Sequence, residues 1–103
     1  MTLYSPLEAC DHAADFLKKA GFTFVTASMK STSTYYALEE RIGTIRVSIH
    51  GRKKDRASYH LSGPVVSTVT FPSHGGAVAG ERVEYAVASA VGIYMIRAKK
   101  RPT

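Results

Sequence analysis

The chain has 103 residues, 45% of them hydrophobic and 21% charged, a length and balance that suit one globular domain over 1–103 with a modest core. It lacks Asn, Gln and Trp, so bidentate amide reading of adenine is excluded, and its one cysteine, Cys10, has no intrachain disulfide partner. The net charge of +6 is uneven: residues 1–45 hold four basic and five acidic residues, residues 46–103 ten basic and three acidic, an asymmetry that suggests an anionic partner.

No apolar run approaches the roughly 18 residues of a membrane span, and Met1–Pro6 has no basic start of a secretory signal. The expected compartment is the cytoplasm, with Cys10 as a small core residue.

Ser5, Pro6 and Glu8 form a capping-box pattern that opens a helix over about 6–20. Leu7, Cys10, Ala13, Ala14 and Leu17 recur at helical spacing and are the expected buried stripe. Gly21 suits the position just past the helix end.

The period then changes to two. Strands are expected over 22–29 and 32–39, with a turn at 39–43. The cleanest alternation is in 44–50, with Ile45, Val47 and Ile49 on one face and Arg46, Ser48 and His50 on the other. A basic turn follows over 51–55. A further strand is expected over 57–62, with Ser58, His60 and Ser62 outward, and a fifth over 65–71.

Residues 72–80 read as a loop or gradual lead-in to a second helix, which starts near Glu81. Val83, Val87, Ala90, Val91 and Tyr94 line one side of that helix, with Ala86 and Ile93 widening it. Gly92 inside a helix costs roughly 1 kcal/mol relative to alanine, which suggests a close helix–sheet contact. The fold class that follows is α+β: a four- to five-stranded antiparallel sheet with an N-terminal and a C-terminal helix packed on one face.

The candidate site is the other sheet face. Arg46, Arg52, Lys53, Lys54 and Arg56 supply cations for phosphate contacts, and the strand hydroxyls supply polar partners. Tyr35 and Tyr36 point to opposite faces, so one is expected to stand exposed as a partner anchor, with His50 and His60 nearby. Arg97, Lys99, Lys100 and Arg101 form a second basic cluster at the negative end of the last helix. Ligand spacings for a metal are lacking, and no cofactor is expected. An exposed sheet edge would support a dimer.

Two family resemblances bear on function. The stretch FLKKAGF, the STSTYY run and IRVSIH are similar to a pattern of small hypothetical proteins of phages and prophages. The matching positions are Ser31, Ser33, Tyr35, Tyr36, Ile45, Arg46, Ser48 and His50, and Ile49 stands where the common version has Asp. The resemblance implies a phage or mobile-element origin, in the company of anti-CRISPR proteins that bind host defence machinery. FLKKAGFTFV and VTFPSHGG also resemble HicA-type toxins, small ribonucleases with a fold like that of double-stranded-RNA-binding domains. Their catalytic histidine follows the first strand, where this chain has KSTST. A ribonuclease would need His50, His60 or His74 instead. The expected function is therefore a non-enzymatic inhibitor that binds a host defence nucleoprotein or another protein. A direct DNA- or RNA-binding module is the alternative, and a HicA-like ribonuclease ranks third.

Overall fold

The computed structural model describes residues 2–28, 33–50, 64–72 and 76–100. The elements are β1 (Leu3–Tyr4), α1 (Pro6–Lys19), β2 (Thr23–Ser28), β3 (Ser33–Ala37), β4 (Thr44–His50), β5 (Val65–Pro72), β6 (Val78–Ala79) and α2 (Gly80–Lys100). This is an α+β arrangement of two helices, a four-stranded mixed sheet in the order β2-β3-β4-β5 and a two-stranded sheet of β1 and β6.

Both ends of α1 follow from its sequence. Ser5 Oγ accepts from the Glu8 N–H at 3.1 Å, and the Glu8 carboxylate accepts from the Ser5 N–H at 2.9 Å. These contacts satisfy two backbone donors at the helix N-terminus. At the other end Gly21 adopts φ +99°. Its N–H donates to Lys18 O and the Phe22 N–H donates to Leu17 O, both at 3.0 Å. This is the double closure of a Schellman cap, and it turns the chain directly into β2.

Ala9, Ala13, Ala14 and Leu17 are the buried residues of α1. Three of the four are alanines, whose small side chains permit close packing on the sheet. Leu7 departs from the expected stripe and is 60% exposed. It lies about 20° round the helix from Ala14, at the edge of the buried stripe and in the first turn. The sheet contributes Tyr36, Ile45, Val47, Val69 and Phe71 to the same core, and α2 contributes Val83, Val87, Ala90 and Tyr94. Both helices therefore pack on one sheet face, and Ser67 Oγ donates to Ala90 O at 3.0 Å to join β5 to α2. Two expectations for α2 are corrected. Ile93 is 51% exposed, because the packed stripe is narrower than its apolar residues. A Cβ built on Gly92 meets nothing within 4 Å, so this glycine marks no helix–sheet contact.

The antiparallel expectation holds for β2-β3 and β3-β4 but not throughout. β5 runs parallel to β4, pairing Ile45 with Ser67, Val47 with Val69 and Ile49 with Phe71. A parallel neighbour needs a crossover of about a dozen residues, and residues 51–63 lie between the two strands. The strand expected over 57–62 falls outside the described residues. β1 and β6 were not expected. Each has two residues, too few for a period, and they pair Leu3 with Ala79 and Tyr4 with Val78.

Gly43, at φ +134°, ends the β3–β4 turn. Its position is packed so closely that an added Cβ would lie 2.5 Å from Val66 Cγ2 and 2.6 Å from Pro64 O. The fully buried Tyr94 hydroxyl sits inside this turn. It lies 2.8 Å from Gly43 O and 3.0 Å from Glu39 O, and it accepts from the Leu38 and Glu39 N–H groups at 3.3 and 3.4 Å. One phenol on α2 thus holds both sides of the turn.

Candidate anion-binding surface

The register builds the sheet face opposite the helices as expected in part. Tyr35 pairs with Arg46 and Ser33 with Ser48. On the parallel side Arg46 pairs with Thr68 and Ser48 with Thr70. Hydroxyls and an arginine therefore form a row across three strands. Arg46 Nε donates to Ser33 Oγ at 3.3 Å, and the Ser48 and Thr70 hydroxyls lie 3.4 Å apart.

Burial corrects the expected exposure of this row. Ser33, Tyr35 and Ser48 are 1%, 0% and 2% exposed, and Arg46 is half-buried. Tyr36 is buried too, on the helix face, where its ring meets Phe24 edge-on at 6.0 Å between centroids. The two tyrosines do face opposite sides, but neither stands on the surface as an anchor. Their aromatic area is covered on both faces of the strand. His50 ends β4 in register with Pro72. Arg52, Lys53, Lys54, Arg56, His60, His74 and Arg101 lie outside the described residues.

A second arrangement emerges at one end of the molecule. Phe22, directly after α1, meets the Tyr94 ring edge-on at 4.9 Å, and the Tyr94 hydroxyl grips the β3–β4 turn. At the opposite end β1 pairs with β6, and the Gly80 N–H donates to Thr2 O at 2.9 Å. The starts of α1 and α2 are thus tied together, and the end of α1 lies against Tyr94, six residues before the end of α2. The last turns carry Lys18 and Lys19 on α1 and Arg97, Lys99 and Lys100 on α2, all exposed. Two helix C-termini point the same way, and the negative end of each dipole favours these cations. Arg41 in the adjoining turn is paired with Glu39 at 3.0 Å.

Sequence reading singled out Arg97, Lys99 and Lys100 but placed Lys18 and Lys19 only on the polar face of the first helix. The missing information was helix direction. Only tertiary pairing, through Thr2–Gly80 and Phe22–Tyr94, brings the two basic turns to one end. Five exposed cations there can donate to phosphate oxygens, and among the described residues none of them is in an ion pair.

Other side chains give less. The Cys10 thiol is half-buried beside Asp11. Desolvation, with the Asp11 charge adding to it, pushes its pKa from 9.0 up to about 11, so it is a weak nucleophile at neutral pH. His12 stacks on Tyr4 with ring centroids 4.1 Å apart. Among the described residues no group of three or more His, Cys, Asp or Glu could hold a metal ion, and no helix is long and apolar enough to cross a membrane. No family model, no curated protein and no solved structure matches the chain.

Proposed function

We propose that this chain is a non-enzymatic, cytoplasmic binding protein of phage or other mobile-element origin that inhibits a host macromolecule, in the manner of anti-CRISPR proteins acting on a nucleoprotein. The observation that carries the reading is the gathering of Lys18, Lys19, Arg97, Lys99 and Lys100 at one end of the fold. An exposed cationic end matches a partner that displays phosphates. The basic stretch Arg52, Lys53, Lys54 and Arg56, with Arg46, adds charge to the same chain. The likeness of the STSTYY and IRVSIH segments to phage proteins supports the origin.

The same cluster also favours a second reading, a module that binds bare DNA or RNA. Fluorescence anisotropy with labelled single- and double-stranded DNA and RNA across a salt series separates the two. Direct binding gives an affinity that falls with salt by a log–log slope of roughly −0.9 per duplex phosphate neutralised. Charge reversal of Arg97, Lys99 and Lys100 together then flattens that slope. If no nucleic acid binds at low salt, capture of a nucleoprotein that releases the charge-reversed variant supports the inhibitor reading. Binding to either target that is untouched by reversal at both helix ends and at residues 52–56 would defeat the assignment of the surface.

A further inference from the structure

α2 carries two apolar stripes, and the core uses one. Val83, Val87, Ala90 and Tyr94 are its buried residues. Tyr85, Ile93 and Ile96 are turned away from them and are 74%, 51% and 58% exposed. A surface helix of a globular domain needs only the inward stripe. The three outward residues fall within an arc of about 80° round the helix. Arg82 and Lys100 lie in the same arc, near its two ends along the helix axis. Arg97 and Lys99 flank it, each about 80° from its centre. All four cations are exposed, and the two acids of α2, Glu81 and Glu84, fall outside the arc. The exposed residues of α1 differ in kind, since they include Glu8, Asp11 and Asp15.

We propose that the outward face of α2 docks on an anionic phospholipid surface and lies in the plane of its headgroups. Tyr85, Ile93 and Ile96 enter the boundary between headgroups and acyl chains. Arg82, Arg97, Lys99 and Lys100 reach lipid phosphates, with their stems laid along the apolar layer. A tyrosine at this depth keeps its ring in the apolar layer and its hydroxyl among the headgroups. Among the described residues no helix is long and apolar enough to cross a membrane, so the docking is peripheral.

Charge complementarity selects this occupant. A bilayer face is apolar beneath a negative layer, and α2 presents an apolar stripe with cations at its ends and on both flanks. From Arg82 to Lys100 the face runs about 27 Å along one straight element, so a flat surface can meet all of it. A nucleic-acid backbone would use the cations and leave the isoleucines in water. The net charge of +6 draws the whole chain towards an anionic surface. Each cation near such a surface strengthens attachment roughly fivefold. The inference goes beyond the nucleoprotein reading and does not rest on it, because its distinguishing element is the exposed apolar stripe.

Co-sedimentation of the full chain with vesicles of phosphatidylcholine, with and without about 30% phosphatidylglycerol, tests the proposal at low and high salt. The expected result is binding to the anionic vesicles that weakens with salt and falls at least about tenfold on phosphatidylcholine alone. Ile93→Glu with Ile96→Glu should lower it by at least about tenfold, with far-UV circular dichroism unchanged because both side chains are exposed. Leu7→Glu is the control: Leu7 is 60% exposed but borders a cleft with Ala27, Ser28 and Thr34, on the β2 and β3 side, and its loss should leave binding unchanged. A second readout does not depend on the glutamates. The chain has no tryptophan, so Ile96→Trp gives a single emitter that should shift to the blue on anionic vesicles, whereas Leu7→Trp should not. No binding to anionic vesicles at low salt, equal binding to neutral ones, or equal loss in Leu7→Glu would overturn the proposal. So would a loss of DNA or RNA binding in the double isoleucine variant as large as its loss of vesicle binding, since the stripe would then serve nucleic acid.

Discussion

Replacing Tyr94 by Phe removes one oxygen from the centre of the fold. In the native turn that oxygen makes four polar contacts, the shortest to Gly43 O at 2.8 Å. Leu38 and Glu39 are exposed residues, so water can reach their N–H groups once the hydroxyl is gone. Gly43 is buried, and its carbonyl loses a partner without such a substitute. A buried acceptor left unpaired costs about 1–3 kcal/mol, and a contact replaced by water costs much less. The ring stays, so its packing on Phe22 is kept. The expected loss is about 2 kcal/mol, which for a chain of this size lowers Tm by about 10 °C. Urea unfolding followed by circular dichroism gives the value, and the m-value should not change. Tyr85→Phe is the control, because its ring is 74% exposed, and it should shift stability by under about 0.5 kcal/mol. A Tyr94→Phe chain as stable as the control would refute the view that this phenol holds the turn.

Two further outcomes follow from particular residues. Gly43→Ala combines a positive φ with contacts of 2.5 and 2.6 Å and should cost at least about 3 kcal/mol, whereas Gly92→Ala meets open space and should stabilise the isolated chain by about 1 kcal/mol; thermal melts of dilute samples compare them. The Cys10 thiol, pushed up to about 11, should alkylate at pH 8 about 100-fold more slowly than in the urea-unfolded chain, as read by mass spectrometry with iodoacetamide; equal rates would contradict its desolvation. Because its folded pKa is raised, this group's contribution to stability is full below about pH 9 and is lost as pH climbs through 11.

The elements that could be read from the chain were those with local chemistry. Ser5, Pro6, Glu8 and Gly21 bound the first helix because caps act within one turn. The alternation of 44–50 placed Ile45 and Val47 in the core because a two-residue period needs no partner to be visible. What could not be read was set at a distance. The parallel run of β5 depends on how residues 51–63 return the chain, and the pattern of Val65–Pro72 is the same in either direction. The burial of Tyr35 also escaped, since strand periodicity shows which face a side chain takes but not whether that face is covered. Of the candidate site, the cations Arg97, Lys99 and Lys100 were visible as a run. Their company with Lys18 and Lys19 follows from the relative direction of two helices 60 residues apart in sequence.

The pairing of Gly80 with Thr2 has a consequence for how the molecule assembles. Strands β2, β3 and β4 are successive neighbours, so a meander over residues 23–50 can form from contacts close in sequence. β5, α2 and the two-residue clasp of β1 with β6 all join through long chain separations, and the clasp links positions 78 residues apart. Loop closure must precede any reward from such contacts. The clasp of the N-terminal strand with the start of α2 therefore carries a higher loop-closure cost than the pairing within the meander. The meander is therefore local in its strand pairing but not in its turn, which is completed only by Tyr94 of α2.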